Sequence, residues 1–346
     1  MLPLDIVYSV ADHCSTLELH SLCLLNLYLH KSATPILYKH INLARTKSIN
    51  LFCRTIITGH PVLRLYPKSL TLRTPWGDIK EMDMPAAEAI RTALHLTPNL
   101  EDLNLSLAST PFSAIFRESR FPFTLRRFTG PLHASHGFAR FLSKQVLMEE
   151  LYVSQTPRGF ALQRIDPASL PKLCRVFSGF QTLSSLVPSR PLSRIGCTTL
   201  SPNEFAEFGD LLTCSTSPVQ CLDVVLLRSR KEIVKTVQFF IDSIPAVYDT
   251  LEHLHVTLSF PLDFISKHNS IHARLKRYTS SQEFEELRFA LSNFSKLQTF
   301  SLIHERCNND LPPEFCHSVT ELSQLDVWKT SSPSLVSMSL FGVAPA

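Results

Sequence analysis

His253 and His255 stand one residue apart, so on an extended strand both imidazoles point to the same face. Two imidazoles on one face begin a metal site, which needs three or four ligands in tetrahedral reach. Asp223, one repeat upstream, is the best third ligand, and none stands nearby. The nine cysteines, at 14, 23, 53, 174, 197, 214, 221, 307 and 316, form no C-x-x-C and no Cys/His set with zinc-finger spacing. The pair therefore reads as two exposed histidines, and no metal is assigned. Frames for nucleophilic or metal catalysis are missing: G-x-S-x-G, H-E-x-x-H and D-x-D-x-D-G do not occur. Close backbone approach to phosphates needs glycine, yet the chain has nine glycines in 346 residues and lacks both G-x-G-x-x-G and G-x-x-x-x-G-K-[ST]. These residues predict a protein without a cofactor and without catalysis of its own.

What remains for chemistry is a set of charged and aromatic residues, and a recurring theme positions them. L-x-x-L-x-L or a relaxed form of it recurs from residue 66 onward, with its fourth position at 70, 103, 128, 151, 176, 195, 222, 254, 300, 325 and 338. Most steps lie between 19 and 33 residues. That is close to the period of about 20–29 residues of leucine-rich repeats. The step from 254 to 300 needs an insertion, placed around 258–294; the step from 325 to 338 is too short for a helix and predicts adjacent strands or a cap. Helix-like stretches fall between the motifs at 84–96, 136–147, 202–212, 231–244 and 282–294. Ile233, Val234, Val237, Phe240, Ile241 and Ile244 trace one stripe, and Phe284, Leu287, Phe289, Leu291 and Phe294 a second. Strands alternating with helices predict an α/β solenoid of parallel strands with outer helices.

In such a strand the motif leucines point inward, and the residues flanking the central one point to the open face. Those flanking pairs place Arg127, Tyr152, Arg175, Phe177, Arg194, His253 and His255 on that face as candidates for binding a protein target. Arg127, Arg175 and Arg194 would form a basic strip, and Tyr152 and Phe177 would supply aromatic anchors. The ligand would be an acidic or phosphorylated protein segment. The competing reading is a solvated face with incidental charges, Glu150 neutralising its neighbours.

The N-terminal forty residues are patterned differently. Pro3 suits the first turn of a helix and Asp5 complements its dipole, with Ile6, Val7, Val10, Ala11 and Cys14 at helical spacing. Ser15 and Glu18 form an S-x-x-E capping box that opens a second helix. That helix carries Leu17, Leu19, Leu22, Cys23, Leu24, Leu25, Leu27 and Leu29 around most of its circumference, so more than one face must be covered. The ordered combination of Leu2-Pro3-x-Asp5-Ile6, Leu22, Leu24, Leu25 and Asn26, Ala33-x-Pro35-x-Leu37-Tyr38 and Ile41-x-Leu43 resembles a fungal-type F-box over residues 2–43, an eighth of the chain. His30 and Lys31 replace the arginine-rich exit usual there.

The resemblance divides the chain into an F-box-like helical module, 1–43, and a degenerate leucine-rich-repeat region, 44–346. It implies a non-catalytic substrate receptor in ubiquitin-dependent degradation. The module would dock on the Skp-type adaptor of a cullin–RING ubiquitin ligase through Leu2, Pro3, Leu4, Ile6, Leu19, Leu22 and Leu25. The repeat face would recruit an unknown protein substrate. The alternative is a leucine-rich-repeat scaffold whose N-terminal helices only cap the solenoid. A formal charge of +4, from 34 basic and 30 acidic residues, is too weak to argue for nucleic acid. Asp5 and Asp12 interrupt the first apolar stretch and no basic residue precedes it, so no signal peptide is expected. No apolar run approaches the roughly 20 residues of a membrane span. The scattered, odd cysteine set fits reduced thiols and a cytoplasmic or nuclear location.

Overall fold

A computed structural model describes residues 4–74, 84–107, 112–117, 120–131, 136–154, 165–166, 168–227, 233–259, 281–304 and 324–341. Within them, the two-residue alternation of the motif becomes strand where its leucine positions can be buried. Leu70 and Leu72, Leu103 and Leu105, Leu151 and Val153, Leu254 and Val256, and Phe300 and Leu302 are all buried. The residues between them are only half-buried.

The chain divides into two compact units, Met1–Lys172 and Leu173–Ala346. The first opens with α1 (Leu4–Asp12), α2 (Thr16–Leu25) and α3 (Leu27–Leu37). It continues through β1 (His40–Leu43), α4 (Thr46–Thr58), β2 (Ser69–Arg73), α5 (Met84–His95), β3 (Asp102–Ser106), α6 (Phe112–Ile115), β4 (Arg127–Pro131), α7 (His136–Ser143) and β5 (Glu150–Ser154). Its strands pair in parallel and in chain order. The second unit runs β6 (Arg175–Ser178), α8 (Phe180–Leu186), β7 (Arg194–Leu200), α9 (Phe205–Leu212), β8 (Cys221–Leu227) and α10 (Ile233–Asp242). β9 (His253–Ser259), α11 (Ser281–Leu291), β10 (Thr299–His304), α12 (Leu325–Lys329) and β11 (Ser337–Leu340) complete it. These strands are also parallel and sequential. Each unit is thus the α/β succession of parallel strands and helical connections expected from the sequence.

Register is set at the entrance to each strand. The carbonyl of Lys68 accepts the N–H groups of Glu101 (2.8 Å) and Asp102 (3.0 Å). Glu101 then accepts from Arg126 and Arg127 (2.7 and 3.2 Å), and Arg126 from Glu149 and Glu150 (2.8 and 3.0 Å). The second unit repeats the device: Ser193 accepts from Gln220 and Cys221, Gln220 from Glu252 and His253, Glu252 from Gln298 and Thr299, and Gln298 from Val336 and Ser337. One carbonyl with two lone pairs thereby satisfies two donors and fixes the next rung.

Three sequence expectations are corrected. Leu325 and Val327 do not form a strand: Leu325 and buried Trp328 sit at helical i, i+3 spacing, and α12 results. Among the described residues the eleventh strand is instead β1, within the stretch assigned to the helical module; Ile41 pairs with Leu70 and Leu43 with Leu72. In α11, Phe284, Leu287 and Leu291 are buried as the stripe requires, whereas Phe289 is exposed. Of the expected insertion around 258–294, residues 260–280 lie outside the described residues, and Ser281–Leu291 is a regular helix.

Short helices leave space that aromatic rings fill. In the first unit Phe116 lies 4.9 Å from Phe141 and 5.1 Å from Phe138, and Phe128 lies 5.6 Å from Phe138. In the second, Phe205 and Phe240 meet edge-on at 5.4 Å. Edge-to-face pairs of this kind add to the burial of their area. Among the described residues Arg190 is the largest fully buried side chain. Its Nη1 donates to the carbonyls of Leu186 (2.8 Å), Ser185 (3.2 Å) and Pro188 (3.3 Å) at the end of α8, where the helix dipole favours a cation. Its own carbonyl accepts the Thr216 N–H (3.0 Å) and the Ser215 hydroxyl (3.2 Å), joining two turns. Replacing Arg190 with Ala strands those carbonyls and opens a cavity. Urea denaturation should register a loss of about 3 kcal/mol or more. Arg127→Ala, at an exposed pair, should cost under about 1 kcal/mol in the same assay. Equal effects would contradict the role assigned to Arg190.

Candidate functional site

Two surfaces qualify: the helical module and the open faces of the strands. In the module, the Ser15 N–H donates to Glu18 Oε2 (2.6 Å) and the Glu18 N–H to Ser15 Oγ (3.4 Å), completing the capping box of α2. The Ser15 hydrogen bonds hold the Glu18 carboxyl below its ordinary range. Asn26 ends α2 and caps α3, its Oδ1 accepting the Leu29 N–H at 2.8 Å, so Leu27 and Leu29 open the third helix and do not extend the second as expected. Ala11, Leu19 and Ala33 form the interior, with Cys14, Leu22, Cys23, Ile36 and Leu37 packed against them.

Leu19 is 5% exposed. It therefore holds the three helices together instead of meeting a partner, and Leu22 packs beside it. The surface of the module carries other leucines: Leu17 at 77%, Leu24 at 75% and Leu25 at 69% exposure, accompanied by Leu27, Ile6 and Val10. Of the expected adaptor contacts, Ile6 and Leu25 are thus exposed, and Leu19 and Leu22 face inward. Leu2 and Pro3 lie outside the described residues, and only the backbone of Leu4 is described.

On the open face of the first unit, Asp102, Arg127 and Glu150 stand in one row. Arg127 grips Asp102 through Nε to Oδ1 (2.8 Å) and Nη2 to Oδ2 (2.7 Å). The hydrogen bonds and charge of Asp102 hold the guanidinium pKa above its already high value. The outward positions of β2–β5 carry two cations, Arg73 and Arg127, and two carboxylates, Asp102 and Glu150. Tyr152 lies half-buried on the same face.

In the second unit one row reads Arg175, Arg194, Cys221, His253 and the next Phe177, Gly196, Asp223, His255. Arg194 donates from Nε (2.9 Å) and Nη2 (2.7 Å) to a single oxygen, Oδ2, of Asp223. The ring of Phe177 lies directly on Gly196: a Cβ there would meet Phe177 Cδ2 at 1.8 Å. The expected basic strip is therefore divided. Arg127 and Arg194 each hold a carboxylate, and Arg175 is exposed at the start of β6. These cross-strand pairs were missed in the sequence because Arg127 and Asp102 are 25 residues apart and only strand register brings them together.

Among the described residues no group of three or more His, Cys, Asp and Glu side chains converges to hold a metal, and Asp223 is engaged by Arg194. Burial pushes the Cys53 and Cys197 thiols up to about 12 and that of Cys221 to about 11, which keeps them protonated at neutral pH. An open recess of about 370 Å³ lined by Lys68, Pro98, Asn99, Leu100, Glu101 and Thr124 holds no nucleophile–base pair; its two charges bond each other at 3.0 Å. Among the described residues no helix is long and apolar enough to cross a membrane. No protein-family model and no curated protein matches the chain.

The Phe177–Gly196 contact is testable by itself. Gly196→Ala should destabilise the protein by about 1–3 kcal/mol, as overpacking does. In the Phe177→Ala background the same change should cost far less, so the double-mutant cycle by urea denaturation should be strongly non-additive. Additive costs would show that the ring does not occupy that position.

Proposed function

We propose that the chain is a non-catalytic receptor subunit of a cullin–RING ubiquitin ligase, its helical module docking on a Skp-type adaptor and its repeat face holding a protein target. The observation that carries this reading is the module's surface. Three leucines of a single ten-residue helix, Leu17, Leu24 and Leu25, stand mostly exposed, and Ile6 and Val10 of α1 and Leu27 of α3 are exposed as well. Large apolar side chains left exposed in number on one small helical module mark an interaction site. The F-box resemblance over residues 2–43 supplies the adaptor as occupant, and the leucine-rich-repeat resemblance the open face as target surface.

Capture of a purified Skp-type adaptor by the full chain tests the reading. Leu24→Asp with Leu25→Asp should weaken capture by at least about tenfold. Both side chains point outward, so folding stability should change by no more than about 0.5 kcal/mol per site. Leu19→Asp should instead unfold the module. An adaptor that never binds the unaltered chain, or binds the Leu24/Leu25 variant equally, overturns the assignment.

A second reading, a scaffold capped by its own helices, is favoured by one feature. The Lys39 carbonyl, directly after α3, accepts the N–H groups of Lys68 and Ser69 (both 3.0 Å), so the module runs without a linker into the first rung. Removal of residues 1–37 leaves β1 in place and separates the two readings. The receptor predicts loss of adaptor capture with the main thermal transition retained; the cap predicts loss of that transition.

A further inference from the structure

Resting on the receptor reading of the helical module, we infer that His20 belongs to the docking surface and docks only as the neutral imidazole, so that capture of the adaptor is gated by pH. Leu17, His20 and Leu24 stand at i, i+3 and i+7 of α2, which makes them successive neighbours in one row along the helix. All three are exposed. The row lies on the side away from buried Leu19 and from Leu22 and Cys23, which pack with it. A partner that covers both leucines therefore covers the imidazole between them.

His20 and Ser21 both lie between the leucines, and burial costs them differently. The Ser21 hydroxyl donates to the Leu17 carbonyl at 3.0 Å, so it enters an apolar interface already satisfied. Two nearby histidines are engaged as well: the Ser9 carbonyl accepts from His13 Nδ1 (2.8 Å) and the Cys23 carbonyl from His30 Nδ1 (3.2 Å). Among the described residues the His20 ring makes no such bond. No charge on the chain offsets this. On α2 the Glu18 carboxyl is engaged by Ser15, and the Cys23 thiol lies near the Thr34 hydroxyl. The ionisable side chains described on and beside α1 are Tyr8, Asp12, His13 and Cys14, and on α3 they are Tyr28, His30 and Lys31. None of them bonds the His20 ring among the described residues. An imidazolium buried between two leucines gives up its water at a far higher cost than the neutral ring. Docking thus selects the neutral ring and releases a proton from the charged one. Affinity is full above the range in which imidazole titrates and falls as pH drops through it.

Affinity of the full chain for a purified Skp-type adaptor, measured at about pH 7.5 and about pH 5.5, on either side of the imidazole range, tests this. An imidazole that titrates near 6.5 in water and docks only when neutral makes binding about tenfold weaker at the lower pH. His20→Leu and His20→Gln should both bind with at most about a twofold response to pH, which separates protonation from added apolar area. His20→Lys, charged at both values, should bind about tenfold more weakly than the unaltered chain at the higher pH, with no further loss at the lower. Circular dichroism of each variant should match that of the unaltered chain, because His20 is exposed in the free protein. A flat response in the unaltered chain, the same pH response in His20→Leu and His20→Gln, or full-strength binding by His20→Lys overturns the gate and leaves the receptor reading standing. No binding by the unaltered chain at either pH overturns the receptor reading and this inference with it.

Discussion

The structure depends on a carbonyl oxygen that serves two donors. Just before each strand, one backbone C=O accepts N–H groups from two consecutive residues of the next rung, from Lys39 through Arg126 in the first unit and from Cys174 through Gln298 in the second. A buried or half-buried N–H without a partner is costly, so this arrangement leaves little choice of register. The chain between rungs can then vary in length, because the constraint acts where a strand begins. The irregular spacing of the motif and the regular rows of side chains are two sides of one fact.

Those rows determine what the surface can recognise. Side chains far apart in sequence become neighbours about 4.8 Å apart. Asp102 closes on Arg127, and Asp223 on Arg194. Exposed ion pairs add little to stability, and their effect here is to fix where guanidinium groups point. In the helical module, burial of Leu19 leaves other leucines in contact with solvent.

Much of this was legible in the sequence. The inward positions at 70, 103, 128, 151, 176, 195, 222, 254, 300 and 338 are buried, since alternation is a direct record of which face meets the core. Val237, Phe240, Ile241 and Ile244 form the buried stripe their spacing predicts, and the Ser15–Glu18 capping box is formed. The failures have definite causes. Leu325 and Val327 satisfy a two-residue period, but the large Trp328 sets a helical one. β1 is four residues long and continues directly from the helices, so no motif announces it. A helix apolar on every side gives no direction, so which leucines of α2 face inward cannot be read from their spacing. Cross-strand pairs such as Arg194 with Asp223 require the register, which only the assembled rungs provide.

A chain of similar rungs faces an error that a chain of dissimilar elements avoids: a strand can dock on the wrong neighbour. Phe177 guards against that error. Its ring requires a glycine at the matching position of the next strand, and among the described residues of that row only β7 has one, at Gly196, where the others present Asp223, His255, Ser301 and Ser339. A strand out of turn, or β7 shifted by one residue, would place a side chain beneath the ring. The contact thereby acts as a key that admits one successor, and it gives an otherwise repetitive chain a fixed point from which its order can be counted.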